Sequence, residues 1–188
     1  MDSPEYERKI SSRFATFDQD GNGYISREDF HTAAAAVLRE FGAAARSTRG
    51  QALHHGAEAF WQGMAGMADH DGDQRITRGE FVHSAVKRLR DNPQGFAEIA
   101  RPFLHAVIGI AGSGSGRGAD AGSASGSDAG PGDSVTTAQA ERVLRVLGVA
   151  ADACGTVAAA LDSDGDGRIS EEEILAAFAA YYTTPEPE

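Results

Sequence analysis

The chain has 188 residues, in which 17 Lys and Arg stand against 28 Asp and Glu, giving a formal charge of −11 and a pI near 4.9. That balance argues against nucleic acid and anionic membrane surfaces as default partners. Hydrophobic residues make up 41% of the chain, enough for an ordinary core, and the single cysteine excludes an internal disulfide and a cysteine-rich zinc site.

In chain order, the first expected element is a helix. Ser3 and Pro4 suit its cap and first turn, and Ile10, Phe14 and Phe17 recur at helical spacing. An acidic segment follows, Asp18 to Asp29 (DQDGNGYISRED), and then a helix carrying Phe30, Ala34, Val37, Leu38 and Phe41. Leu53, Ala57, Phe60, Met64 and Met67 mark the next helix, which leads into a second acidic segment, Asp69 to Glu80 (DHDGDQRITRGE). Phe81, Val82, Ala85 and Leu89 continue beyond it. Asp91 to Gly95 contains Asn92-Pro93 and reads as a turn. The helix marked by Phe96, Ile99, Phe103, Leu104, Val107 and Ile108 contains Pro102, which is expected to kink or restart it.

Gly112 to Asp133 is almost entirely Gly, Ser, Ala and Asp, the composition of a flexible linker. Cys154, Val157 and Leu161 then precede a third acidic segment, Asp162 to Glu173 (DSDGDGRISEEE), and Ile174, Leu175, Phe178 and Tyr181 follow it. No strand longer than a few residues is expected, so the fold class is all-α. The polar N-terminal stretch has no apolar h-region, and no run of about 18 apolar residues occurs, so a cytoplasmic setting without a membrane span is expected. The basic residues are 15 Arg and 2 Lys, a coding bias of GC-rich genomes that points to a bacterial, actinobacterial source.

The three acidic segments are one repeated pattern. Each places a carboxylate or amide at positions one, three and five, Gly at four, Ile at eight, a hydroxyl residue at nine and a carboxylate at twelve. A hard dication wants six to eight oxygens, and a tight loop with oxygens at alternate positions wraps one. Gly at position six allows the sharp turn through positive φ, and position seven offers its backbone carbonyl. Ser26/Asp29, Thr77/Glu80 and Ser170/Glu173 also fit a helix capping box. Capping alone does not explain the clustered acids, whose mutual repulsion needs a cation.

These segments resemble the loop of the EF-hand superfamily, D-x-[DN]-x-[DN]-G-x5-E. The plan of the whole chain resembles the sarcoplasmic calcium-binding proteins and bacterial calerythrin-like proteins. That resemblance implies a compact globule of four EF-hand-like units in two pairs, an N-terminal pair over 1–91 and a C-terminal pair over 92–188. It also implies up to three Ca²⁺ ions. The candidate ligands are Asp18, Asp20, Asn22, Tyr24 and Asp29 in the first loop and Asp69, Asp71, Asp73, Arg75 and Glu80 in the second. In the last loop they are Asp162, Asp164, Asp166, Arg168 and Glu173. Tyr24, Arg75 and Arg168 would serve through their carbonyls.

The departures from the pattern matter. Asp29 is one methylene shorter than the usual Glu, which makes bidentate reach doubtful, and the smaller shell would tolerate Mg²⁺ better at the 18–29 loop. Gln74 stands where Gly is expected, a strain of roughly 1 kcal/mol that would weaken the second site. A third, dead hand is expected between the second and last loops, with Asp128 at its first position, Val135 at its eighth and Gln139 at its twelfth, lengthened by the 112–133 insert. Val135 would pair with Ile169, as Ile25 would with Ile76; the alternative is a plain linker between two lobes.

Other residues have plainer readings. Trp61 and Cys154 are expected in the core, and His54-His55 as a solvated surface pair. No Ser/His/Asp or Cys/His grouping and no phosphate loop marks an enzyme. The expected function is a monomeric cytoplasmic Ca²⁺ buffer; the alternative is a sensor that binds a target protein. Sensors that open present Met-rich grooves, and Met1, Met64 and Met67 are the only methionines here. One Trp and few other aromatic residues disfavour an EF-hand photoprotein. Eleven of the 28 acids are candidate ligands, so three Ca²⁺ would bring the charge from −11 to −11 + 6 = −5.

Overall fold

The computed structural model describes residues 11, 13–113 and 134–183, with their side chains except at 85–90, 93, 96 and 178–183. Its elements are α1 (described over 13–17), β1 Tyr24–Ile25, α2 Arg27–Glu40, α3 Thr48–Ala68, β2 Ile76–Thr77, α4 Arg78–Asp91, α5 Pro93–Ser113, β3 Ser134–Thr136, α6 Thr137–Val146, α7 Ala151–Leu161, β4 Arg168–Ser170 and α8 Glu171–Thr183. The strands pair antiparallel in two small sheets. β1 meets β2 with Ile25 opposite Ile76, and β3 meets β4 with Val135 opposite Ile169. These four aliphatic side chains are buried, so each loop pair is closed by an apolar contact as well as by the ladder.

The third hand is therefore present from its eighth position onward. Its twelfth position keeps the capping box: Thr136 N donates to Gln139 Oε1 at 2.8 Å and Gln139 N to Thr136 Oγ1 at 3.3 Å. Gln139 Nε2 donates to the Ala111 carbonyl at 2.8 Å, tying this helix start to the end of α5. Asp128 and most of the Gly/Ser-rich segment lie outside the described residues. The expected linker begins too early, because Gly112 and Ser113 belong to α5, where Ser113 Oγ donates back to the Gly109 and Ile110 carbonyls.

The exit helices of the first and third hands end alike. Gly42 follows α2 with φ 64° and Gly148 follows α6 with φ 91°. The Ala43 amide reaches the Leu38 carbonyl and the Val149 amide the Leu144 carbonyl, both at 2.9 Å, the six-to-one bond of a Schellman stop. Helix α3 starts on Ser47, whose Oγ accepts from Gly50 N at 3.1 Å.

One expectation about α5 is corrected, and of the two outcomes expected at Pro102 one is excluded. The turn expected over Asp91–Gly95 is a single residue, Asn92: its Oδ1 accepts from Gly95 N at 2.8 Å, and Pro93 opens the helix. Asn before Pro is here an N-cap and first-turn pair, where the missing N–H costs nothing. Nor does Pro102 restart the helix, for α5 runs unbroken through it. The exposed ring loses one backbone bond, and the helix is held by the packing of its other faces. Ala100, Phe103, Ala106, Val107 and Ile110 join the larger core with α2 and α3, while Ile108 and Ala111 join the smaller core with Val135, Ala158 and Ile169. Helix α5 is thus a wall common to both.

Trp61 and Cys154 are buried, as expected. Phe60 gathers Phe17, Phe30 and Phe103 at centroid distances of 5.8, 5.0 and 6.1 Å. None of the described helices is long and apolar enough to cross a membrane.

Candidate metal centres

Each acidic segment forms the short link between an entering helix, a two- or three-residue strand and an exiting helix. The chain folds the segments with its own carboxylates. In the first loop Asp18 Oδ1 accepts from Asn22 N and its Oδ2 from Gly23 N, both at 3.0 Å. In the second, Asp69 takes Gly72 N at 2.8 Å and Gln74 N at 3.0 Å. In the last, Asp162 Oδ2 takes Gly167 N at 3.0 Å. Position three or five then closes the amide two residues on, as Asp166 does for Arg168 N at 2.7 Å.

The twelfth residues bridge loop and helix. Asp29 Oδ2 accepts from Ser26 N at 2.7 Å while its Oδ1 accepts from Gln19 N at 2.8 Å. Glu80 Oε2 takes Thr77 N at 2.9 Å and its Oε1 takes His70 N at 3.2 Å. Glu173 Oε2 takes Ser170 N and Oε1 takes Ser163 N, each at 2.9 Å. The capping box and the acidic cluster are therefore one arrangement. Each carboxylate oxygen has two lone pairs, so a donor on one leaves the other for a cation.

Three carboxylate triplets bring ligand atoms within 4.8 Å of one another: Asp18, Asp20 and Asp29; Asp69, Asp71 and Asp73; Asp162, Asp164 and Glu173. Asp29, despite its shorter side chain, joins the first triplet and is 2% exposed. Glu80 and Asp166 stand outside the second and third triplets. Asn22 is held beside Asp20, and its Oδ1 accepts from Tyr24 N at 3.0 Å. The Arg75 guanidinium, just before β2, lies 4.6 Å from the ring centroid of Tyr24 in β1. Arg168 Nε donates to Ser134 Oγ at 2.8 Å, so its side chain lies on the dead hand.

Asp162 Oδ1 is a test of fit. It is buried and has no hydrogen-bond partner among the described residues, although the matching Oδ1 atoms of Asp18 and Asp69 accept loop amides. An ionised oxygen left without a donor is costly to bury, and a cation in the last loop supplies what it lacks.

Gln74 has φ 65°, the only non-glycine residue with positive φ among those described. Its counterparts Gly23 and Gly167 have φ 93° and 80°. Replacing Gln74 by Gly is expected to relieve strain on the order of 1 kcal/mol and tighten Ca²⁺ at this loop about fivefold. Calorimetric titration checks it, and unchanged or weaker binding would contradict it.

Burial pushes the Glu173 carboxyl up, but four donors outweigh it, the amides and hydroxyls of Ser170 and Ser163, and hold its pKa at about 2 against an ordinary 4.5. Hydrogen bonds from the amide and then the hydroxyl of Thr77 hold Glu80 below its usual range. A depressed carboxylate adds stability above its unfolded value that is lost as pH falls through the folded one. In metal-free buffer the Tm gap between wild type and Glu173→Gln is expected to be constant above pH 4.5 and to close towards pH 2. A gap that widens on acidification would contradict this.

A family model described as an EF-hand domain pair matches residues 7–86, and a second, described as EF hand, matches 159–179. A solved calcium-binding protein of Streptomyces coelicolor, described under prokaryotic calcium-mediated regulation, is 57% identical. The match covers 96% of this chain and 99% of that one with a TM-score of 0.82. The chain belongs to the EF-hand family. It binds Ca²⁺ through EF-hand loops. Calcium-loaded apo-aequorin from Aequorea victoria shares the fold at 14% identity, with 98% and 94% coverage and a TM-score of 0.66. So does the ctenophore photoprotein berovin, whose three loops are described as binding magnesium, at 13% identity, with 96% and 94% coverage and a TM-score of 0.62. A comparison with curated protein sequences finds no match.

One side-chain cluster joins residues far apart in the chain. His55 is exposed, but His54 is half-buried against His31 of α2, with the two Nδ1 atoms 3.4 Å apart. His31 lies 23 residues from His54, and no local pattern links them.

Proposed function

We propose that this EF-hand protein is a Ca²⁺ buffer that stays closed as it fills. The ligands would be Asp18, Asp20, Asn22, Asp29 and the Tyr24 carbonyl; Asp69, Asp71, Asp73, Glu80 and the Arg75 carbonyl; and Asp162, Asp164, Asp166, Glu173 and the Arg168 carbonyl. The hands form two pairs, 1–91 and 92–188. The last loop binds tightest, and the first, ending in Asp29, tolerates Mg²⁺. The role is binding rather than catalysis, in a monomer of the bacterial cytoplasm; the arginine bias and the Streptomyces relative support the bacterial source.

The observation that carries the buffer reading is the join between α3 and α5. At Gly56 the α5 backbone comes so close that an added Cβ would lie 2.7 Å from the Pro102 oxygen. Buffer EF-hands barely open on binding, and so close a helix contact leaves little room for a hinge.

A second reading, a Ca²⁺-dependent regulator of a target protein, is favoured by a different observation. Asp29 lines an apolar cavity of about 200 Å³ together with Phe17, Phe30, Phe60, Phe103, Leu147 and Ile174, so a cation at the first loop sits against an apolar surface. The description of the Streptomyces protein points the same way. Binding of an apolar dye at fixed Mg²⁺, with and without Ca²⁺, separates the two. A buffer gives unchanged or lower fluorescence with a higher Tm; a large Ca²⁺-dependent rise overturns buffering and supports regulation.

A further inference from the structure

We propose that His31 on α2 and His54 on α3 form a binding site for one Zn²⁺ ion, separate from the acidic loops. The two Nδ1 atoms are 3.4 Å apart. Zn–N bonds of about 2.0–2.1 Å span that gap at an angle of about 110°, the tetrahedral value. An octahedral ion would want the two nitrogens about 2.9 Å apart. The ring centroids are 5.6 Å apart with the planes tilted by 31°. With the nitrogens 3.4 Å and the centroids 5.6 Å apart the two Nδ1 axes point almost straight at each other, so each partly exposed ring turns by roughly 35° to aim its lone pair at a tetrahedral zinc lying off that line.

Glu58 sets the orientation. It stands one turn after His54 on α3, and its Oε2 lies 3.4 Å from His31 Nε2, while Oε1 pairs with Arg27 at 3.1 Å. A carboxylate on the far nitrogen of a ligating histidine fixes the tautomer and raises ligand basicity. With the His31 proton on Nε2, its Nδ1 lone pair faces His54. In the metal-free protein His54 Nδ1–H donates to that lone pair. Zinc takes the place of this proton, which moves to His54 Nε2, so both imidazoles remain neutral. Gln62 Nε2 donates to Glu58 Oε1 at 2.9 Å, and this bond, ahead of Arg27 and His31, holds the carboxylate below its usual pKa range. Two waters complete the shell on the open side. Imidazole nitrogen suits zinc and not calcium, so the site would not compete with the loops.

The test is calorimetric titration of the Ca²⁺-saturated chain with Zn²⁺, so that the acidic loops are filled. One zinc per chain is expected in wild type. His31→Gln and His54→Gln are each expected to weaken it at least tenfold, Glu58→Gln by less, and His55→Gln, at the exposed neighbouring histidine, not at all. Far-UV helix content establishes that the variants fold. Wild-type affinity in either His31→Gln or His54→Gln, or no zinc uptake at millimolar Zn²⁺, overturns the proposal.

Discussion

Replacing Gly56 by valine is expected to cost about 3 kcal/mol or more and to lower the Tm by roughly 10 °C. An ideal Cβ at this position meets the Pro102 carbonyl oxygen at 2.7 Å and Phe103 Cα at 2.8 Å. Both are backbone atoms of α5 and cannot rotate aside, so α3 and α5 must separate. Phe60 and Phe103 then lose contact in the shared core. Helix propensity alone argues the other way, since glycine in a helix interior is about 1 kcal/mol worse than alanine. Gly66, on the same helix, isolates that effect because nothing lies within 4 Å of its added Cβ. Gly66→Ala is therefore expected to stabilise by about 1 kcal/mol while Gly56→Val destabilises. Thermal unfolding of the two variants checks the pair, and a tolerated Gly56→Val would mean that α3 and α5 are not locked together.

The second large effect is expected at the last loop. Glu173→Gln should weaken the tightest Ca²⁺ binding event about 100-fold, which is ~2.7 kcal/mol. Glu173 belongs to the triplet with Asp162 and Asp164, and Asp162 Oδ1 is the buried oxygen without a donor. Gly167 takes the turn without strain, unlike Gln74. Asp29→Glu at the first loop is expected to change a weaker event. If Glu173→Gln left the tightest event intact, the ranking of the loops would be wrong.

Much of this was legible in the sequence because the signals were local. The acids at alternate positions, the capping pair at nine and twelve and the apolar eighth residue all lie within twelve residues. So the pairing of Ile25 with Ile76, the left-handed Gln74 and the degenerate hand around Val135 and Gln139 could be expected before the fold was known. The misjudged features depend on more than one element. Pro102 left a restart open beside a kink because the rule for an isolated helix counts a lost hydrogen bond, not the packing of α5 against two cores. Asn92-Pro93 looked like a longer turn because the same dipeptide also caps a helix start. The burial of Asp29, the Gly56 contact and the meeting of His31 with His54 come from how helices cross, and no spacing encodes them.

The opening charge of −11 has a physical reading in these terms: the acids are gathered where a cation offsets their repulsion. Metal binding to the folded state alone must then stabilise it, by about 2.7 kcal/mol per site at a hundred times the Kd. The most direct test is a Ca²⁺ titration of the metal-free chain that counts bound ions while following the Tm. Three ions per chain are expected, none at the hand carrying Val135, with a Tm that rises with Ca²⁺. A fourth ion, or full occupancy with an unchanged Tm, would contradict this.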